Sequence, residues 1–229
     1  MNLILTVKKK ETDNVYTFVF KSDKNLKFKP GQYMIYRLPH EAPDRRKDKR
    51  YFTISAAPFE SVIKITTRIA KKEGSSFKKA LFGLRRGHSI YARGPSGNFV
   101  LKNPQRPAVF IAGGIGITPF RSMLLDLVHH QVPFDICLLY AIGDTKDIVF
   151  QKELESMAEE NLGLRFYYVV HPKRIDEETI ERYVPDYLRR VFYVSGPEPM
   201  VEEFEKMLEK MGILRRNIKR DYFPGYDWP

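Results

Sequence analysis

The sequence predicts two domains, an N-terminal antiparallel β-barrel followed by an α/β domain built on a doubly wound parallel sheet. Three observations carry that prediction. Up to Asn103–Pro104, apolar residues come in short runs rich in β-branched and aromatic side chains, broken by turns containing Pro and Gly. Beyond that point, apolar runs alternate with amphipathic helical segments. The charge divides at the same place: residues 1–103 hold 23 Lys/Arg and 8 Asp/Glu, and the rest hold 16 and 20. At 229 residues the chain is long enough for two ordinary cores, assigned to residues 1–104 and 105–229.

In the first half the strands are "LILTVKK", "VYTFVFK", "YMIYRL", "SVIKITTRI" and "SIYARG". They are separated by "KPG", "LPHEAP" and "GPSG", stretches in which Pro and Gly stop a strand. "SSFKKALFGL" is the one helical segment there, and either Ser75 or Ser76 is a suitable N-cap. Several short strands with one helix suit an antiparallel barrel.

In the second half "AVFIA" leads into "ITPFRSMLLDLVHH", with Ile117, Phe120, Leu124, Leu127 and Val128 on one face. "FDICLLYAI" leads into "DIVFQKELESMAEE", and "LRFYYVV" into "DEETIERYV". "VFYVSG" leads into "PEPMVEEFEKMLEKMG", where Pro197 falls near the first turn. The stripe Met200, Val201, Phe204, Met207, Leu208 and Met211 is a core face. "DYF" reads as a final strand.

"AGGIGITPF" closes the first parallel strand and opens the first helix. In open α/β sheets the ligand crevice lies outside the carboxyl ends of the strands. Glycine there lets backbone approach a bulky anion, and the helix start offers unpaired N–H groups to a pyrophosphate. Pro119 costs little in the first turn, where its missing N–H has no partner to lose.

Composition narrows the function classes. With 43% hydrophobic and 29% charged residues, the chain has a globular composition. No segment suits a membrane span, and "MNLILTV" lacks the basic start of a signal peptide, so a cytoplasmic location is expected. The single cysteine, Cys137, excludes an intrachain disulfide and a four-cysteine metal cluster. Five histidines show no ligand spacing, His129–His130 falls at a helix end, and no metal is expected. Aromatics interleaved with lysines in "VYTFVFKSDKNLKFKPGQYMIY" would suit a nucleic-acid-binding barrel. That alternative leaves the crevice glycines without a task, so nucleic acid is not the expected partner.

Five motifs in order resemble the ferredoxin–NADP reductase superfamily. "GGIGITP" resembles its nicotinamide-nucleotide turn, "RYFTIS" (Arg50 to Ser55) its flavin signature, and "GSSFKKAL" (Gly74 to Leu81) its second flavin segment. "YVSGPEPM" resembles the fourth-strand motif, and "DYFPGY" (Asp221 to Tyr226) the aromatic C-terminal tail. The resemblance covers essentially the whole chain, and its two-domain order matches the order read above.

The resemblance implies a flavoprotein oxidoreductase in which the barrel binds FAD, with FMN the less common alternative. Arg50 would pair with the flavin phosphates, Phe52 would pack on the isoalloxazine beside Tyr51, and Thr53 would lie near flavin N5. Gly74, Ser75 and Ser76 would hold the pyrophosphate, and Thr66 and Arg68 would line the flavin. Gly113, Gly114, Gly116, Ile117, Thr118 and Pro119 would take the nicotinamide nucleotide, with Gly196 and Pro197 at the crevice edge. Ser195 stands where many family members have cysteine. Phe223 would cover the flavin face that the nicotinamide must reach, with Asp221 near the flavin. Thr53, Ser195, Asp221 and Phe223 are therefore the candidate catalytic residues.

Relatives that use NADPH often carry an arginine after the second strand, whereas this chain has Ile142, Gly143 and Asp144. NADH is accordingly expected over NADPH. The electrons would pass to an acidic carrier, a ferredoxin or flavodoxin, or to an oxygenase component, docking on the basic half near "HEAPDRRKDKR". Work as the electron-transfer subunit of a larger oxygenase or dehydrogenase complex is the alternative. A dehydrogenase without flavin leaves "RYFTIS" and the barrel unexplained.

Overall fold

Alternating apolar residues in the first half produce six strands, seen in a computed structural model that describes residues 1–70 and 74–223. These are β1 (Asn2–Lys10), β2 (Val15–Ser22), β3 (Tyr33–Arg37), β4 (Lys49–Thr53), β5 (Ile63–Arg68) and β6 (Ser89–Ser96). They pair antiparallel in the order β4-β3-β6-β1-β2-β5. Leu3, Leu5, Phe18, Phe20, Met34 and Ile65 fill the interior, each burial worth about 1.5–3 kcal/mol. Helix α1 (Ser76–Gly83) plugs one end through Phe77 and Leu81.

The barrel does not close by a full ladder. The edge strands β4 and β5 are joined just past β4, where Ser55 N donates to Lys64 O at 3.0 Å. Beyond that bond the seam stays open, and it is there that the cleft described below begins.

The second half forms β7 (Ala108–Gly113), α2 (Ile117–His129), β8 (Ile136–Ile142), α3 (Gln151–Glu160), β9 (Leu164–Val170), α4 (Glu177–Tyr183), β10 (Val191–Pro197), α5 (Glu198–Lys210) and β11 (Ile218–Phe223). All five strands are parallel, in the order β11-β10-β7-β8-β9. β7 and β8 are buried along their whole length, so they read as unbroken apolar runs. Helices α2 and α3 cover one face through Phe120, Leu124, Leu154 and Met157. Helices α4 and α5 cover the other through Ile180, Val201, Phe204 and Leu208.

Two local details depart from the sequence pattern. The segment from Asp147 reads as helical, yet α3 begins only at Gln151. Ile148 and Val149 are drawn into the core, and Phe150 turns the chain with a φ of 62°. At α1, Ser75 occupies the N-cap position but makes no cap bond. The cap is supplied from far along the chain, by Asp44 Oδ2 accepting from Ser76 N at 3.0 Å.

Candidate functional site

The strand order reverses at β7, whose neighbours are β10 and β8. That switch point is where adjacent crossovers leave a crevice, and the Gly-rich turn sits in it. Gly114–Gly116 form a tight 3-10 turn that runs straight into α2. Gly114 has a φ of 51°, a conformation glycine adopts without strain. Gly116 is there for space, since a Cβ on it would lie 2.1 Å from the Ser195 carbonyl oxygen. Thr118 Oγ1 ties the turn by donating to Ile115 O at 3.1 Å.

A cleft of about 870 Å³ opens between this turn and the seam of the barrel. From the barrel, Tyr51, Phe52, Thr53 and Thr66 line it. Gly74 and Ser75 line it from the start of α1, and Thr118, Asp221 and Phe223 from the second domain. A crevice of about 180 Å³ continues past the turn, along Gly113, Gly114 and Pro197 to the ends of β8 and β9. Arg68, Ile115 and Phe223 line both spaces and stand at their junction. The structure therefore brings together residues as distant in sequence as Tyr33 and Phe223.

Ser76, Gly116, Ile117, Pro119, Ser195 and Gly196 line neither space. Ile117, Pro119 and Gly196 are buried, and Gly116 and Ser195 meet each other rather than the cleft. Ser76 uses its Oγ to bind His40 Nε2 and accept from Asp44 N, both at 2.9 Å. Phe52 is half in the barrel core, with ring centroids 5.8 Å from Tyr36 and 5.9 Å from Phe77. Tyr51 is the exposed aromatic, packed edge-on to Tyr33. Residues 224–226, the remainder of the tail motif, lie outside the described residues.

Arg50 is held by protein on every side. Its Nε and Nη2 donate to Ser75 Oγ, Nη1 donates to the carbonyls of Arg46, Lys47 and Lys49, and Nη2 pairs with the Asp44 carboxylate. Burial opposes the ionised form of Asp44, but the Arg50 guanidinium and the N–H donors around it hold the carboxyl well below the usual range. Asp221 behaves oppositely. Burial pushes it up to about 7, against a weaker pull from Ser195 Oγ, which donates to Oδ2 at 3.2 Å.

Two polar atoms in the cleft wall have no hydrogen-bond partner, Thr67 Oγ1 and Arg68 Nε. Buried polar groups are ordinarily paired, so these two atoms fit a polar, anionic occupant. Beneath them Thr17, Thr66 and Ser55 form a chain of hydroxyls with successive 2.8 Å contacts. Cations at Lys49, Lys79 and Arg220 complete the rim. A flat heterocycle with a phosphate tail matches this combination of aromatic wall, hydroxyl floor and basic edge.

Sequence reasoning missed several lining residues: Tyr33, Ile115, Tyr222, and, in the crevice, Asp147, His171 and Lys173. Ile115 was open to detection inside "GGIGITP". Tyr33 and Tyr222 lie on strands the sequence did mark, whose pattern does not say that they face a cleft, and the other three lie outside the strands and α-helices. The described residues hold no cluster suited to a metal, and no helix among them is long and apolar enough to cross a membrane.

Comparison with known proteins agrees with the two halves. Residues 2–101 match the oxidoreductase FAD-binding domain, and residues 110–206 match the oxidoreductase NAD-binding domain. A Mycobacterium tuberculosis protein named NADPH oxidoreductase is 29% identical over 217 residues, covering 91% of this chain and 56% of that protein. A Pseudomonas aeruginosa glycine betaine monooxygenase reductase subunit is 28% identical, covering 88% of this chain and 58% of the relative. The chain thus spans little more than half the length of these curated relatives. The flavohem-like FAD/NAD-binding domain of Vibrio cholerae nitric oxide dioxygenase superposes with a TM-score of 0.85 at 21% identity, covering 97% of this chain and 98% of that one. An antiparallel FAD-binding sheet followed by a parallel NAD-binding sheet, with both matches in that order, places this chain in the ferredoxin–NADP reductase superfamily.

Proposed function

We propose that the protein is an NAD(P)H-dependent flavin oxidoreductase that hands electrons to a separate acceptor, with its flavin domain ending near residue 104. The shared cleft carries this reading, because the seam of the barrel and the turn at the switch point face one space. Flavin bound there supplies the chemistry, accepting a hydride from the reduced nicotinamide and releasing electrons singly or in pairs. The chain's own residues orient and insulate. Thr53, at the end of β4, would meet the ring, and Ser75 and the start of α1, braced by Arg50, would hold the phosphate end. Arg68 stands at the junction, where a nucleotide pyrophosphate would satisfy its unpaired Nε. Phe223, which lines both spaces, would cover the ring face that the nicotinamide has to reach. Asp221, with Ser195 behind it, holds a proton near neutral pH at the cleft wall.

The choice of nucleotide turns on the crevice. Asp144, the residue expected to repel a 2′-phosphate, pairs with Lys146 at 2.9 Å and is not part of the crevice lining. Asp147 lines it, together with Lys173 and His171 from the loop after β9. With Arg68 and Arg174 also in the wall, positive charge outweighs negative, and this supports NADPH over NADH. Stopped-flow mixing with each nucleotide, following flavin bleaching, tests both levels. NADPH is expected to act at lower concentration, and Lys173→Ala to raise its half-saturation about 10-fold while sparing NADH. Faster bleaching by NADH in the unaltered protein would reverse the assignment, and no bleaching by either would end the functional reading.

The acceptor is an acidic carrier, such as a ferredoxin or flavodoxin, or an oxygenase component. The reductase subunits among the relatives support the second, and the excess of Lys/Arg in residues 1–103 supports any acidic partner. Acceptor reduction should slow several-fold as salt rises from about 50 to 200 mM, while the nucleotide half-reaction changes less. A flat response in both would count against charge-guided docking.

A further inference from the structure

Outside the cleft, one buried guanidinium joins the two domains. Arg121, on α2, is 5% exposed. Its Nε and Nη2 donate to the two carboxylate oxygens of Glu153 on α3, at 2.6 and 2.8 Å. Its Nη1 crosses to the barrel, donating to the Ser55 carbonyl and to Glu60 Oε2 at 3.1 Å. The next residue repeats the link, with Ser122 Oγ donating to Ala56 O at 2.6 Å. Glu60 is itself fixed by Lys64 and by the Ala57 N–H at 2.7 Å.

The placement of this junction matters more than its strength. Ser55 follows Thr53 by two residues, and Arg121 follows Thr118 by three. Both threonines line the same cleft from opposite domains. Arg121, with Ser122 beside it, therefore links the two segments that carry the opposing walls. Exposed ion pairs contribute little, but a buried, multiply bonded arginine fixes its partners in one geometry.

We propose that Arg121 is a positioning residue for electron transfer in this protein, setting the separation between the flavin wall and the nicotinamide wall. The inference rests on the functional reading above. Transfer between stacked rings is sensitive to distance, and a displacement of about 1 Å can cost on the order of 100-fold in rate. Arg121 lines neither the cleft nor the crevice, so its loss should leave the affinity of each wall for its own ligand largely intact.

The test uses FAD-loaded protein carrying Arg121→Gln, Arg121→Lys, Glu153→Gln or Ser122→Ala. Three quantities are measured: the limiting rate of flavin bleaching, the half-saturating nucleotide concentration, and the long-wavelength absorbance on adding oxidised nucleotide, which requires stacked rings. Arg121→Gln is expected to slow the limiting rate roughly 10- to 100-fold and weaken the long-wavelength band, with half-saturation changed less than about threefold. Arg121→Lys should recover part of the loss, keeping the charge without the fork. If Arg121→Gln does not fold, Glu153→Gln and Ser122→Ala each remove one bond and should show the same pattern at about 3- to 10-fold. A folded variant with the wild-type rate and band, or one losing affinity as much as rate, overturns the proposal. Absence of bleaching in the unaltered protein would instead overturn the reading on which it rests.

Discussion

Replacing Gly116 by alanine is expected to lower the melting temperature by roughly 6–12 °C and to abolish reduction by nicotinamide nucleotide. The added Cβ would stand 2.1 Å from Ser195 O, 2.5 Å from its carbonyl carbon and 2.9 Å from Gly196 Cα. All three are backbone atoms of β10, so no rotamer change relieves the overlap. The turn must move away from β10, and with it Thr118 and the start of α2. Overpacking of this kind costs about 3 kcal/mol. Gly83→Ala is the control, because its Cβ meets nothing within 4 Å at the end of α1, and Gly83 lines neither the cleft nor the crevice. Thermal unfolding and nucleotide titration of both variants check the expectation, and equal behaviour would show that the close approach at Gly116 is dispensable.

Asp221→Asn should stabilise the ligand-free protein in a pH-dependent way. Burial raises the Asp221 carboxyl to about 7, well above its unfolded value of about 4. Below pH ~4 the group is protonated in both states and contributes no pH dependence. Between about 4 and 7 the unfolded chain has lost the proton while the folded chain keeps it, so wild-type stability falls as pH rises; above about 7 the loss is complete. The asparagine variant carries no such penalty. Its advantage should be small at pH 4, grow through pH 7, and level off at about 2–4 kcal/mol. Denaturant unfolding across pH 4–8 measures this, and a constant difference between the two proteins would exclude the raised carboxyl. In the flavin-loaded protein the same substitution should flatten any step near pH 7 in the rate of electron release, if Asp221 is the group that exchanges the proton.

These two expectations differ in how far the sequence foretold them. The glycines of "AGGIGITPF" announce their turn, because a strand-to-helix transition with three glycines in four positions is a local pattern. The same holds for the alternation in β1 and β2 and for the helical stripe of α5, which the structure buries as Met200, Val201, Phe204 and Leu208. The motif "RYFTIS" marks the right strand. It does not reveal that Phe52 would sit half within the barrel core, or that Arg50 would be saturated by protein groups.

The order of elements, the division into an antiparallel and a parallel half, and the place of the crevice were determined by the sequence, since each rests on periodicity or on glycine and proline chemistry within a few neighbouring residues. The tertiary structure decided which polar groups meet. Asp44 reaches Ser76 across 32 positions, and Arg121 reaches Ser55 across 66. The same folding leaves Asp144 outside the crevice lining and brings Asp147 and Lys173, from different loops, into it. Such partnerships depend on how two finished domains pack and on which loop ends face each other, and a residue's immediate neighbours carry no record of that.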